Sequence, residues 1–461
     1  MSHPNPAAAS PWTSAQRWFV IGLLVLFIAL SAQYTAKVLS NRSAFVRWKA
    51  QLEGLDSGVN IYDVYVYPNP PIMALLLKPL TDIEPPFAGA LLWYYLKVGM
   101  ALASLYWVFR LVEGNGPAFP PWAKALVVLL SLRPIMGDLI HGNVNLFILF
   151  LVVAGLYAFH RGRQAGGGLL IALAIACKVT PALFVPYLVW KRAWRALAGC
   201  GVGLFLFLWV VPSCFFGWAE NQRLLTSWTN QMIVPFVVHG EVTSVHENQS
   251  LPGLAARLLT HSPSFIEWEK TAPHNLRAQL YDNVFDLPPA VPHWVVRGAE
   301  LLFVGLVAWR CRQALAPRAG WRLAAEFAVV VLGMLLFSER TWKHHCVTLM
   351  LPFAVLCYHL ATARPGPWVK RYLIGTLAAT TLLMLATSTV GSERGTLSAW
   401  SQAWDTAAKT AQVYGVYVWA YVLLLAALVV VLGRRDETAA AAPDVVPLPP
   451  SAPEALSRQA G

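Results

Sequence analysis

A chain of 461 residues that is 57% hydrophobic and only 13% charged carries about half the charge of a soluble domain, where roughly 25% is usual. With 20 tryptophans, it reads as an all-α polytopic membrane protein and not as two soluble domains. The net charge of +12 sits mainly in short loops between apolar runs, so it reports membrane orientation, and no nucleic-acid partner is expected.

In chain order, residues 1–16 form a short cytoplasmic N-terminus. The apolar run at 18–30 has Arg17 as its only nearby positive charge and many apolar runs after it, which fits an uncleaved first helix. A crossing needs about 20 apolar residues. Candidate spans lie at 17–36, 87–111, 122–136, 144–160, 165–177, 180–190, 196–216, 293–311, 321–338, 345–361, 371–389 and 412–433. That is about twelve transmembrane or re-entrant helices between 17 and 433. In the first long loop, 37–86, Phe45, Trp48, Leu52 and Leu55 recur at helical spacing with Arg47, Lys49, Gln51 and Glu53 between them. This pattern predicts an amphipathic helix in the membrane interface. The apolar run 73–80 behind Pro71 is too short to span. The long segment 217–292 shows weak periodicity, with a short helix expected at 250–260. The tail, 434–461, is rich in Ala and Pro and is expected to be disordered and cytoplasmic. The six cysteines (177, 200, 214, 311, 346, 357) lie in or beside apolar segments without metal spacing, so they are expected to pack, and neither metal nor cofactor is expected.

Basic loops at 160–163, 191–195, 310–322, 364–371 and 434–435 fall on one side of the membrane only if 165–177 and 180–190 form a hairpin of two short helices with its tip at 178–181. Both termini then face the cytoplasm. The outer face carries 37–86, 137–143, the hairpin tip, 217–292, 339–345 and 390–411, and with them every polar cluster of the chain.

Those clusters suggest chemistry. Lys178 at membrane depth is costly unless it meets water or an anion; it is a ligand for a lipid phosphate or else a snorkelling lysine. Arg340, Lys343, His344 and His345 gather possible cations at a helix start, where anions are favoured; two adjacent histidines are weak evidence for zinc. His141, Asn143 and Asn145 open the helix from 144, as caps, as sugar ligands or as both. Asn248 and Gln249 precede Leu251-Pro252 and fit either capping or acceptor contact, and Asn69 lies in the turn Tyr67-Pro68-Asn69-Pro70-Pro71. A base that takes a proton from a hydroxyl has to come from the outer-face carboxylates Glu53, Asp56, Asp63, Asp82, Glu84, Asp138, Glu241, Glu247 and Glu339. Asp63, beside the rigid turn, ranks first, followed by Asp56 and Glu247.

In this order the clusters resemble the glycosyltransferase family 87 membrane mannosyltransferases, which have a GT-C fold. The resemblance rests on Tyr67 to Pro71, on Gly142-Asn143-Val144-Asn145, on Lys178-Val179-Thr180-Pro181, on Asn248 to Ser250 and on Ser338-Glu339-Arg340-Thr341-Trp342-Lys343-His344-His345. It covers about residues 15–390. Two positions depart from the family. Ala44 stands where the family has the Asp that is thought to act as base, and Glu339 stands where a Pro is usual. The base is therefore not carried over. The resemblance implies transfer of a hexose, most often mannose, from a polyprenyl-phosphate sugar to a glycan or glycolipid acceptor at the extracytoplasmic face of the cell membrane, with inversion. Lys178, Arg340 and His344 or His345 would hold the phosphate. A rival reading is a transporter or lipid flippase, since broken helices are common there; no inverted repeat supports it.

Overall fold

The computed structural model describes residues 13–268, 276–313, 320–389 and 399–434. Most of residues 1–16 and of the tail 434–461, with their expected roles, lie outside these residues.

The described chain is helical apart from one two-stranded ribbon. Helices occupy the positions of the apolar runs, and their ends follow from local chemistry. Pro71, Pro86 and Pro121 each open a helix, where the missing N–H is not needed and φ is preset. Gly142, at φ 71°, closes the Pro121–His141 helix in the left-handed conformation that glycine tolerates.

Among the described residues, five helices are long and apolar enough to cross a membrane: Ser14–Leu39, Pro86–Glu113, Trp194–Phe216, Ala290–Arg310 and Lys343–Thr362. The pair Trp400–Val413 and Val416–Leu432, bent by 55°, makes a sixth if counted as one span. The shorter apolar helices, among them Asn145–His160, Gln164–Cys177 and Thr180–Trp190, pack inside this set. At the centre, Trp321–Leu336 and Met350–Thr362 are buried nearly all round. The outer helices expose large apolar side chains instead, such as Trp18, Ile28, Leu301 and Leu302. An apolar exterior around a close-packed interior marks a chain solvated by lipid.

Of the expected hairpin, both arms form as short helices, Gln164–Cys177 and Thr180–Trp190. Its first arm ends at Cys177, Lys178 is extended at φ −159°, and a tight helical turn starts at Thr180 with Pro181 behind it. The first arm lies unusually close to the Trp194–Phe205 helix. A Cβ on Gly168 would collide with the Ala196 carbonyl, and one on Gly199 with the Ala165 carbonyl. Glycines thus let two backbones touch, as is common between helices in lipid. Gly168→Val is expected to force the pair apart at about 1–3 kcal/mol or more, lowering the midpoint of thermal unfolding in detergent by several degrees. An unchanged midpoint would show that the contact is dispensable.

The Ala44–Asp56 helix buries Phe45, Trp48 and Leu52, the residues whose spacing predicts it. The Pro71–Thr81 and Leu251–Leu259 helices also form near their expected places. Other parts differ from expectation. Phe265–Trp268 pairs antiparallel with Leu276–Leu280, a short ribbon within an otherwise helical described chain; aromatic and β-branched residues in this short stretch favour the extended state. Trp218–Trp228 is a helix inside the segment read as weakly periodic. Its buried face is Asn221, Leu224, Leu225 and Trp228, and the polar Asn221 hides the period. That amide donates to the Leu208 carbonyl at 3.0 Å and the Ser213 hydroxyl at 3.2 Å, beside a wide-turned π segment at Leu206–Val210 that leaves backbone acceptors free. Ala399–Val413, read as loop, is helical as well.

Candidate functional site

The site is built around Asp138. The Pro121–His141 helix runs five residues past the expected end at 136 and carries Asp138 in its last turn. The chain then reverses at Gly142, where any larger residue would press on the Tyr34 hydroxyl, and the next helix starts at Asn145. Asp138 is fully buried. Its carboxylate accepts from the backbone N–H groups of Asn145 and Leu146, each at 3.3 Å, and from Asn145 Nδ2 at 2.9 Å. Lys97, also fully buried, donates to the Asp138 carbonyl at 2.9 Å and lies 3.5 Å from its carboxylate. The expected asparagine cap of this helix is thus replaced by an aspartate seven residues upstream.

With Nδ2 held by Asp138, Asn145 turns Oδ1 toward the hairpin tip, where it accepts from Lys178 Nζ at 2.5 Å. Asn145 and Lys178 line a cavity of ≈ 30 Å³ together with Thr180, Ser338, Thr341 and His345, room for about one water. Asn143 reaches across to His344, Nδ2 to Nε2 at 2.9 Å, and the ring of His141 lies 5.1 Å from that of His344. Trp342 N–H donates to His345 Nδ1 at 3.3 Å. The first-loop turn is buried at Tyr67, and the Pro71–Thr81 helix behind it packs on Gln164–Cys177.

The remaining wall is stapled from distant segments. Asn248 Nδ2 donates to the carbonyls of Thr243 and Glu339, each at 2.8 Å, and its Oδ1 accepts from Thr341 N–H at 2.9 Å. Gln249 N–H donates to Thr341 O at 2.7 Å, and Gln249 Nε2 donates to His246 O at 2.6 Å and Gln412 O at 2.8 Å. Both side chains are fully buried, so they hold the wall and turn no polar atom to the cavity. Behind them Arg257, fully buried, donates to Val413 O, Ser244 O and Val245 O at 2.8 Å each, and to Asn248 O and Gln412 O at 3.3 Å.

Six sequence-predicted residues therefore converge at or beside the cavity: Asn145, Lys178 and His345 in its lining, Asn143 and His344 next to it, and His141 adjoining. Others point elsewhere. Arg340 donates to Thr243 Oγ1 at 2.9 Å and lies 3.2 Å from Glu339. Burial pushes the Glu339 carboxyl up, opposed by Arg340 and Thr243. Lys343 donates to Thr387 O at 3.0 Å. Asn69 is buried, its carbonyl accepting from the Tyr62 hydroxyl at 3.0 Å. Asp56 is exposed and pairs with Lys78 at 2.7 Å. Asp63 is exposed and accepts from Ser227 at 3.4 Å. Glu247 is 40% exposed at its side chain and lies 3.1 Å from His246 Nδ1. None of these three carboxylates lines the cavity. Ala44 begins a helix capped by the Ser43 hydroxyl and offers no carboxylate.

Sequence reasoning gave no role to Lys97, counted Asp138 only among the carboxylates that could serve as base, and met Ser338 and Thr341 only within the motif that carries the family resemblance. Two signals point to the first pair: Lys97 is a lone cation inside an apolar run, and Asp138 is an anion in the last turn of a helix, where the dipole disfavours it.

Residues 65–339 match the sequence profile of glycosyltransferase family 87. The chain is 26% identical over 330 residues to the polyprenol-phosphate-mannose-dependent alpha-(1-2)-phosphatidylinositol mannoside mannosyltransferase of Mycolicibacterium smegmatis, covering 68% of this chain and 66% of that protein. It is 25% identical over 311 residues to the protein of the same name from Mycobacterium tuberculosis, covering 64% and 61%. A phosphatidylinositol pentamannoside mannosyltransferase of Mycobacterium tuberculosis, also polyprenol-phosphate-mannose-dependent, is 26% identical over 383 residues, 78% of each chain. The match thus spans less than two thirds of the first two relatives. No solved structure matches. With well over half of its length matched by the profile, the chain belongs to glycosyltransferase family 87.

Proposed function

We propose that this protein moves a mannosyl residue from a polyprenyl-phosphate donor to a glycan or glycolipid acceptor, at the extracytoplasmic face of the cell membrane. The fold would be GT-C-like, with about twelve transmembrane or re-entrant helices and both termini cytoplasmic. The activities for which the relatives are named support the donor and a glycolipid acceptor. The observation that carries the reading is the Lys178 ammonium, oriented by Asn145 at 2.5 Å and facing a cavity shared with His345. The cavity is too small for a sugar, so a phosphoryl group reaching Lys178 has to part the surrounding side chains.

The reaction is a single inverting displacement. The acceptor oxygen attacks the anomeric carbon while its proton passes to a carboxylate. The bond from that carbon to the phosphate oxygen breaks, and polyprenyl phosphate leaves with the electron pair. Its charge is met by Lys178, with His345 and His344 beside it; fixed electrostatic groups of this kind carry much of catalysis. Among Asp63, Asp56 and Glu247, we assign the base to Glu247. Asp56 is engaged by Lys78 and Asp63 faces solvent, whereas Glu247 adjoins the stapled wall next to Asn248.

The test is transfer by the purified protein in lipid from polyprenyl-phosphate mannose to a mixed glycolipid pool. Transfer is expected for the wild type and for Asp63→Asn, with a loss of about 100-fold or more in Glu247→Gln. A full loss in Asp63→Asn alone would return the base to the first loop. No transfer by the wild type would remove the reading.

A further inference from the structure

We infer that Asp138 and Lys97 form a buried positioning pair that sets the donor-phosphate handle through Asn145; the inference rests on the role proposed for Lys178. Four donors converge on one carboxylate: two backbone N–H groups, Asn145 Nδ2 and the Lys97 ammonium. An asparagine amide looks nearly the same in its two flipped orientations, and a site that needs its oxygen on one side has to specify it. A carboxylate can only accept, so Asp138 forces Nδ2 inward and leaves Oδ1 facing Lys178. An ammonium can only donate, so Lys178 is drawn to that oxygen and held at the cavity wall instead of snorkelling away. Lys97 completes the device. Asp138 is sealed from water, and a buried carboxylate without a counter-charge would be strongly disfavoured. Lys97 supplies that charge, and its additional bond to the Asp138 carbonyl ties it to the same turn. The chain of contacts runs Lys97, Asp138, Asn145, Lys178 and joins four helices or helix ends. Only its last member faces the cavity together with Asn145.

A capping role alone would explain the two backbone contacts, but not the buried cation or the side-chain bond that points Asn145 at Lys178. The two roles separate experimentally. Asp138→Asn keeps the size and one acceptor oxygen but lets Asn145 flip. It is expected to raise KM for polyprenyl-phosphate mannose by about tenfold or more, as loss of a partner that orients a binding group commonly does, with the acceptor KM unchanged. The double variant Lys97→Met/Asp138→Asn removes both buried charges. It is expected to recover thermal stability lost in the single variant without recovering the donor KM. Should Asp138→Asn fail to fold, Asn145→Ala breaks the same chain while leaving Asp138 paired with Lys97, and the same rise in donor KM is expected. Donor KM that stays at the wild-type value in these variants, or returns to it when the double variant regains stability, would reduce Asp138 to a cap and overturn the inference. Loss of transfer in Lys178→Ala together with unchanged donor KM in the Asp138 variants would refute this pair alone. Undiminished transfer in Lys178→Ala would instead remove the proposed role of Lys178 on which it rests.

Discussion

Lys178→Ala is expected to lower kcat/KM for mannosyl transfer by about 100- to 1,000-fold, the loss typical when a fixed charge-stabilising donor is removed from a site. Three features set that size. The ammonium sits at a break between two short helices, so its backbone is placed by Pro181 and by the packing of both arms. Its Nζ donates to Asn145 Oδ1, and an ammonium has three donors, so two remain to meet an anion. The cavity around it is small and partly apolar, with Ile148, Met334 and Leu335 in its wall, and a charge contact gains strength where water is excluded. Lys178→Arg is expected to rescue little, because a planar, rigid donor fork does not reproduce the compact ammonium that Asn145 holds. The fold itself should survive the alanine, since Asn145 keeps its bond to Asp138 and a water can take the vacated volume. The check is steady-state transfer beside thermal unfolding for each variant. Activity within twofold of wild type would take Lys178 out of the reaction.

Arg257→Met is expected to abolish folded protein. This guanidinium fills its donor fork with carbonyls from two separate parts of the chain, 244–248 and 412–413. Methionine of similar length would leave the Ser244, Asn248 and Val413 carbonyls buried and unsatisfied, at about 1–3 kcal/mol each, while Val245 O and Gln412 O keep other donors. Three such losses together rival the lower end of the stability of a typical domain, roughly 5–15 kcal/mol. Arg257→Lys is expected to rescue only in part, because one ammonium cannot span the same set. Size-exclusion of detergent extracts reads the outcome. A monodisperse Arg257→Met peak that unfolds at the wild-type temperature would show that the clip is redundant.

The features legible in the sequence were those written in local chemistry. The amphipathic helix around Trp48 shows its period because each buried position is apolar. The break at Lys178 shows because Thr180-Pro181 cannot continue the preceding helix. The Trp218–Trp228 helix was hidden by one polar residue on its buried face, Asn221, which serves acceptors on another helix. In the candidate site, Asn145, Lys178 and His345 could be singled out as polar interruptions of apolar runs. The roles of Asn248 and Gln249 could not. They bind backbone atoms 91 and 163 positions away, and no local pattern encodes that. Asp138 was visible as a carboxylate but not as the hub of the site, because its partner Lys97 lies 41 residues upstream and the pairing exists only once their helices pack.

The stapled wall also has a consequence for the order in which the protein is made. By residue 348 every side chain that lines the cavity has been synthesised, yet Gln249 and Arg257 still lack the acceptors they find at 412 and 413, and Gln249 Oε1 lacks the Tyr417 N–H. A ribosome-bound chain that stops short of these positions holds all of the cavity's side chains with its outer wall unlatched. The helix pair Ala399–Val413 and Val416–Leu432 thus supplies the last partners of that wall, and a chain truncated before residue 412 is expected to enter the membrane as an unfinished vessel.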